Sequence, residues 1–390
     1  MSLPLNRPVR LADFAVDPYP LFAQLRETQP VAWAEDANMW LLTRREDVIQ
    51  VLRDCDTFRT DSPRSTIHDT FGSQMLSVEG DRHRRYKSQC GGPFNARAIR
   101  DHAVPMITSR TRALIDACAS QSRVELRGAL ASPLAIYTVA AVLGIPESLH
   151  GLIRKWYDDF AAALANFTWD EAVRERGQTS VRQFRESIAP IIRSAAGEET
   201  LLAVLARRSA DRLSDDEILA NALIVLFGGI ETTESTLLNV FWTLLRHPEA
   251  LATVRHDRSL LPGAIEEAMR WEPAVQSCTR HVSAPVAMHG TTLNAGDVVQ
   301  CMLGAANRDP TYFAEPDRYD IYRPNAGDHL SFGSGRHYCL GAALARAEVS
   351  VAVNALLDRF PTLRADPERP SAPQGFEFRA PPTLWVLPHP

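Results

Sequence analysis

The strongest constraint on this chain is a single helical segment long enough to cross a whole domain. From Ser214 onward apolar residues recur at helical spacing, Ser214 and Glu217 stand in the positions of a capping box, and His247-Pro248 closes the run. Such a segment reaches about 50 Å at 1.5 Å per residue. Its centre is unusual. Within the apolar stretch Ile224 to Ile230 stand the adjacent Gly228 and Gly229, followed by Glu231, Thr232 and Thr233. Two glycines cost about 1 kcal/mol each against alanine in a helix interior, and an acid loses solvation in apolar surroundings. A local role must compensate.

The remaining composition is that of an ordinary globular protein. Of 390 residues, 45% are hydrophobic and 23% charged, and 42 Lys and Arg against 47 Asp and Glu leave a formal charge of −5. No repeat, low-complexity tract or Gly/Ser linker breaks the sequence, so one domain is expected over residues 1–390. The acidic balance and the lack of a long basic run argue against nucleic acid or an anionic membrane as partner. Arg7, Arg10, Asp13 and Asp17 leave no apolar core for a signal peptide near the start, and the apolar stretch 130–146 is interrupted by Ser132, Pro133, Thr138 and Gly144. A cytoplasmic protein without membrane anchor is expected, with residues 130–146 a buried helix. Six scattered cysteines without a Cys-x-x-Cys pair point to reduced, mostly buried thiols rather than a zinc site or disulfide framework.

Helical patterning dominates residues 80–275, with stops expected at Pro146, Pro190 and Pro248. Short β-type runs occur at residues 31–33 and 39–42, separated by polar residues that suggest a hairpin, and again through residues 280–302. A last hairpin is expected at residues 376–386. The class is mostly α with a minor β region.

Near the C-terminus, Phe332-Gly333-Ser334-Gly335-Arg336-His337-Tyr338-Cys339-Leu340-Gly341 precedes a helix-forming run from Ala342. A glycine-rich loop here delivers a cysteine to a helix start, where free amides and the positive helix end favour a thiolate. By itself the pattern fits a nucleophile or metal ligand and a tight turn with a structural cysteine equally well. A dinucleotide loop is disfavoured, because no third glycine stands at 338. Glu267 and Arg270 form an i,i+3 pair that, taken alone, reads as a solvated helix face.

In order, Gly228-Gly229-Ile230-Glu231-Thr232-Thr233, Glu267-x-x-Arg270, Ala306-Asn307-Arg308-Asp309-Pro310, Pro316-Asp317-Arg318-Tyr319 and the cysteine loop resemble the cytochrome P-450 family of haem-thiolate monooxygenases across nearly the whole chain. Length and the missing N-terminal anchor are similar to the soluble bacterial type. The resemblance implies the P-450 fold, with the long helix above a haem b. It makes Cys339 the thiolate ligand of the iron, which promotes oxygen–oxygen cleavage. It places Phe332 near the sulfur, lets Gly333, Gly335 and Gly341 shape the loop, and sets His337, His83, Lys87 and Arg280 toward the haem propionates. The family often has arginine where Lys87 stands, so a fork is replaced by a point charge. Without the resemblance His83 reads as a surface histidine.

The same resemblance implies that the helix opens at Gly228 and Gly229, that the Thr232 hydroxyl hydrogen-bonds the oxidant, and that Glu231 relays protons through water. Many relatives have aspartate at the Glu231 position. The acid–alcohol pair argues against an enzyme driven by peroxide alone. Glu267 and Arg270 become a structural pair, completed by Arg318 or Arg323. The implied substrate pocket comprises Phe71, Met75, Leu76, Phe167, Ile224, Phe227, Gly228, Val275, Ser277, Cys278 and Phe378, with Cys278 open to oxidation.

The expected activity is insertion of one oxygen atom into a small to medium hydrophobic molecule, by hydroxylation, O-dealkylation or epoxidation. Electrons would come from NAD(P)H through a ferredoxin and its reductase, docking on Arg84, Arg85, Arg97, Arg100, Arg336 and Arg346. The chain would act as a monomer, with separate redox proteins unless it is the haem portion of a longer fusion. The alternatives are a dedicated biosynthetic tailoring oxidase for one bulky substrate, and a haem protein that binds ligands without turnover.

Overall fold

The computed structural model describes residues 8–166, 168–194, 199–207 and 213–389, and in it the Asp215–Arg246 helix runs unbroken for 32 residues. The capping box forms: the Ser214 amide donates to Glu217 Oε2 at 2.9 Å and the Glu217 amide to Ser214 Oγ at 3.2 Å. This helix is apolar and long enough to cross a membrane, but 72% of its most apolar window is buried inside the protein. The expected opening at the glycines is not observed. At Gly229 the compensation is steric instead. A Cβ at Gly229 would lie 2.5 Å from Val139 Cγ2, so only glycine lets this helix approach the Ser132–Leu143 helix so closely, whereas a Cβ at Gly228 would meet open space.

The chain divides into two compact units, one of Met1–Arg59, Thr111–Ser132 and Thr232–Pro390, the other of Thr60–Arg110 and Pro133–Glu231. The first holds the sheets. Val31–Ala34 and Met39–Leu42 form the expected hairpin, with Trp33 opposite Trp40. Met39–Leu42 continues parallel to Val298–Met302, which pairs antiparallel with Ser277–Val282 and places Cys278 opposite Cys301. Phe58–Arg59 closes this five-stranded sheet. Val31, Leu42, Val48, Leu52, Phe58, Val299 and Leu303 bury the sheet face and the inner side of the Arg45–Arg53 helix in one core, which removes apolar area from water at about 25 cal/mol per Å².

The C-terminal segment departs from the expected hairpin. Trp385–Leu387 pairs with Val124–Glu125 and with Arg364–Ala365, while upstream of it Phe378 bridges Val275 and Ala380 bridges Gln374 around a tight turn. Long-range pairing with strands far away in sequence outcompetes the local turn.

The second unit is helical. Thr66–Phe71, Gly80–Cys90, His150–Leu164 and Glu171–Ser194 pack with the first half of the long helix, and Trp156 meets Phe184 edge-on with centroids 5.7 Å apart. Pro190 lies inside Glu171–Ser194 and does not stop it. Proline removes one helical hydrogen bond, a loss that packing offsets here: Ile188 and Ile192 on either side of it are buried.

Candidate functional site

In the first unit the site begins with the cysteine loop. Gly333 and Gly335 both take φ of 72°, the left-handed region that favours glycine. A Cβ at Gly335 would also fall 2.6 Å from the Leu52 carbonyl, so the loop presses directly on the Arg45–Arg53 helix. The Gly333 amide donates to the Leu330 carbonyl at 2.7 Å and the Cys339 amide to the Phe332 carbonyl at 3.0 Å, which fold the loop back on itself. Cys339 is the one exposed cysteine of the six. Two residues on, the Ala342–Arg359 helix starts at Gly341 without a side-chain cap, and a Cβ at Gly341 would sit 4.0 Å from the Cys339 sulfur. The first amides of that helix are thus left to favour negative charge nearby.

The loop is braced from two sides. The Arg346 guanidinium lies 4.5 Å from the Phe332 ring centroid and donates to both oxygens of Glu266, at 2.6 and 2.9 Å. His329 Nε2 lies 3.2 Å from the same carboxylate, while its Nδ1 accepts from the Ser331 amide. Burial opposes ionisation of Glu266, but the bonds from His329 and Arg346 outweigh it and hold the carboxyl at about 2. Burial likewise pushes His329 below the usual histidine range.

Beside this brace lies the Glu267–Arg270 pair, which is no solvated face. Both side chains are fully buried and joined by two bonds of 2.7 and 2.8 Å. Arg323 completes the pair through Nε at 2.9 and 3.1 Å, whereas Arg318 lends only its backbone carbonyl to Arg270 and turns its side chain to exposed Glu315. Arg270 further ties down the carbonyls of Asn307 and Pro316, linking the three polar motifs of the sequence.

The Ser277–Val282 strand brings Cys278 and Arg280 to one face and Ser277 and Thr279 to the other, as strand alternation requires. Ser277 is buried and accepts from Gln300 Nε2 at 2.6 Å, so it does not share a lining with Cys278. Arg280 is 6% exposed; Nη1 donates to the Thr279 carbonyl, and its buried Nε has no protein acceptor among the described residues. An orphaned guanidinium N–H is costly unless an anion meets it. Val275 bridges Phe378, both half-buried. Cys278 is half-buried, and burial pushes its thiol up to about 11, with Arg280 opposing and Glu377 and Cys339 adding to the shift.

In the second unit, His83 is 3% exposed and stands one helical turn before half-buried Lys87 on the inner face of Gly80–Cys90, so it is not a surface histidine. Phe71, Met75, Ile224 and Phe227 are buried, Leu76 is 39% exposed, and Phe167 lies outside the described residues. The aromatic side chains form a chain: Phe71 meets Phe160 at 5.3 Å and Phe227 at 5.6 Å, and Phe227 stacks on Tyr157 at 5.4 Å and 14°. The Tyr157 hydroxyl donates to Glu231 Oε2 at 2.6 Å. The sequence singled out neither Tyr157 nor Phe160; their place on an apolar helical face was the available signal, and it does not differ from that of core residues.

Of the arginines expected to face a redox partner, exposed Arg84 pairs with Asp81 and exposed Arg97 and Arg100 with Asp101, half-buried Arg85 is tied to Glu217, and Arg336 is exposed. Arg346 is spent on Glu266. Thr232 is half-buried and its carbonyl accepts from the Thr236 hydroxyl at 2.6 Å. The exposed cysteine at an uncapped helix start and the orphaned N–H of Arg280 suit a metal porphyrin with anionic side chains.

Comparison with known proteins agrees. The Cytochrome P450 family model matches residues 134–385, more than half of the chain. Cytochrome P450 monooxygenase PikC of Streptomyces venezuelae is 37% identical over 369 residues, 91% of this chain and 86% of the relative. Nocardicin C N-oxygenase of Nocardia uniformis subsp. tsuyamanensis is 32% identical over 410 residues, 98% of each. The crystal structure of HmtN, a post-tailoring hydroxylase involved in himastatin biosynthesis, is similar with a TM-score of 0.82 at 33% identity, covering 97% of this chain and 99% of that one. The chain belongs to the cytochrome P450 family, with that family's fold, its haem b and axial cysteine thiolate, and its monooxygenase activity.

Proposed function

We propose that this monooxygenase tailors a hydrophobic biosynthetic product, inserting one atom of dioxygen while the other leaves as water with two electrons and two protons. The observation that carries the chemistry is Cys339, exposed on a glycine loop at an uncapped helix start. Relatives named for nocardicin and himastatin chemistry favour tailoring over catabolism of small aromatics.

Haem b, held by the Cys339 thiolate, supplies dioxygen activation. The chain's own residues do the rest. Arg280, His83, Lys87 and His337 hold the propionates. Gly333 and Gly341 leave the sulfur's surroundings free of bulky side chains, and the Phe332 carbonyl holds the Cys339 amide. Gly228, whose missing Cβ leaves open space, keeps the surface of the long helix smooth there. The Thr232 hydroxyl holds a proton at the reacting oxygen, and the Glu231 carboxylate passes protons inward. Phe71, Met75, Ile224 and Phe227, buried in the second unit, exclude water and offer an apolar surface to the substrate. Electrons arrive from NAD(P)H through a ferredoxin and reductase, guided by exposed Arg84, Arg97, Arg100 and Arg336.

The test is an absorbance titration of the ferric protein with compounds from small substituted aromatics to macrocycles and peptides. A saturable Soret shift to shorter wavelength with bulky ligands only is expected. Shifts confined to small aromatics would overturn the tailoring assignment, and normal turnover by the Thr232→Ala/Glu231→Ala double variant would overturn the proton path.

A further inference from the structure

We propose that Tyr157 is the positioning residue of Glu231, holding the acid by its hydroxyl and tying the acid's pose to the aromatic cluster through its ring. The proposal rests on the reading of Glu231 as the proton-relaying group.

The geometry comes from one helix face. Phe227 and Glu231 are four residues apart on the Asp215–Arg246 helix, so their side chains lie one turn apart on the same side. Tyr157 bridges that turn. Its ring stacks on Phe227 at 5.4 Å while its hydroxyl donates to Glu231 Oε2 at 2.6 Å. That distance belongs to the short, charge-assisted class of O–H to carboxylate bonds. Tyr157 itself is 4% exposed, on the inner face of the His150–Leu164 helix beside Phe160, so its ring has little freedom to turn away.

Two consequences follow. A carboxylate with one oxygen fixed by a buried hydroxyl presents its other oxygen in a restricted set of directions, which is what directional proton transfer needs. The stack also makes the hydroxyl's position depend on Phe227, and Phe227 meets Phe71, which meets Phe160. A substrate resting on these rings and displacing Phe227 would move Tyr157 with it, and with Tyr157 the acid. Phe227 lies in the proposed pocket; Tyr157 thereby connects substrate presence to proton supply without touching the reacting atoms.

The test uses the holoenzyme with Tyr157→Phe, Glu231→Gln and the double variant, fed by a surrogate ferredoxin and reductase in the absence of substrate. Dioxygen then leaves as peroxide, with two electrons and two protons, or as water, with four of each. We expect Tyr157→Phe to raise the peroxide-to-water ratio on the order of threefold to tenfold, Glu231→Gln at least as much, and the double variant no more than Glu231→Gln alone. A second readout is independent of activity: urea unfolding midpoints of the ferric holoenzymes should be non-additive across the same cycle. Tyr157→Phe keeps the ring and its stack, so folding is preserved. Tyr157→Leu, which removes both, should add a loss of unfolding midpoint without a larger change in the ratio.

A parent-like ratio in Tyr157→Phe, with Glu231→Gln raised, would overturn the positioning role and leave the relay standing. An unchanged ratio in Glu231→Gln would remove the relay reading and the proposal with it. Additive unfolding midpoints would show that the hydroxyl and the carboxylate do not interact, and would overturn the proposal even if both ratios rose.

Discussion

Replacing Arg270 by methionine should destabilise the protein by about 3–5 kcal/mol, the range for removing one partner of a buried ion pair. The structure supports that range from both directions. Arg270 gives two bonds to Glu267 and further bonds to the carbonyls of Asn307, Pro316 and Arg318. Each buried acceptor left unsatisfied adds about 1–3 kcal/mol, which would push the loss higher. Arg323 and the Asp320 amide still reach Glu267 and would limit it. Methionine fills much of the arginine's volume, so cavity formation contributes little. Against a total stability of about 5–15 kcal/mol, this is a large fraction. With unfolding entropy of about 2.1 cal/mol/K per residue, a chain of this length should melt about 4–6 °C lower. Arg270→Lys keeps the charge but loses the planar fork and should fall between. The control is Arg318→Met, which breaks an exposed pair with Glu315 and should cost less than about 0.5 kcal/mol. Urea unfolding of all three variants measures this. A loss below about 1 kcal/mol for Arg270→Met would refute the reasoning, because the buried carboxylate would then need no partner.

Further outcomes follow from the same geometry. Gly229→Ala should destabilise by about 1–3 kcal/mol, since its methyl meets Val139, while Gly228→Ala should leave urea stability equal or slightly higher through helix propensity. Glu266 carries a folded-state value of about 2 against an ordinary 4.5, so its contribution is present above pH 4.5 and lost as the pH falls toward 2. Glu266→Gln should therefore flatten the acid limb of unfolding midpoint against pH, and an unchanged limb would contradict the brace. In haem-free protein, iodoacetamide should modify Cys339 first, with Cys278 and Cys301 resisting because burial pushes their thiols up to about 11 and about 12. Peptide mass spectrometry reads this directly, and adding haem should suppress the Cys339 label.

The long helix, the hairpin at Val31–Ala34 and the cysteine loop were legible because each is signalled locally, by a cap, by alternation or by glycine spacing. What escaped is long-range. The pairing of Trp385–Leu387 with Val124–Glu125 joins residues some 260 positions apart, and no local pattern encodes it. The burial of Glu267 and Arg270 depends on carbonyls from Asn307, Pro316 and Arg318, which the pair's own spacing cannot reveal. Pro190 has the local signature of a stop, because propensity is local and the packing that overrides it is not. Tyr157 is the most instructive case: as an aromatic on an apolar helix face it has the pattern of core, and only the Glu231 oxygen 2.6 Å away distinguishes it.

The near-contact of Gly229 with Val139 also bears on how this enzyme can be re-engineered. Where the bare backbone of one helix is filled directly by a valine of its neighbour, neither can retreat to admit a larger ligand, and neither can advance to grip a smaller one. Variation in substrate range must then be concentrated on side chains that face away from that seam. A mutational library directed at Phe71, Met75, Ile224 and Phe227, with Gly229 and Val139 held constant, should retain folded members at a much higher rate than one that randomises the back of the helix.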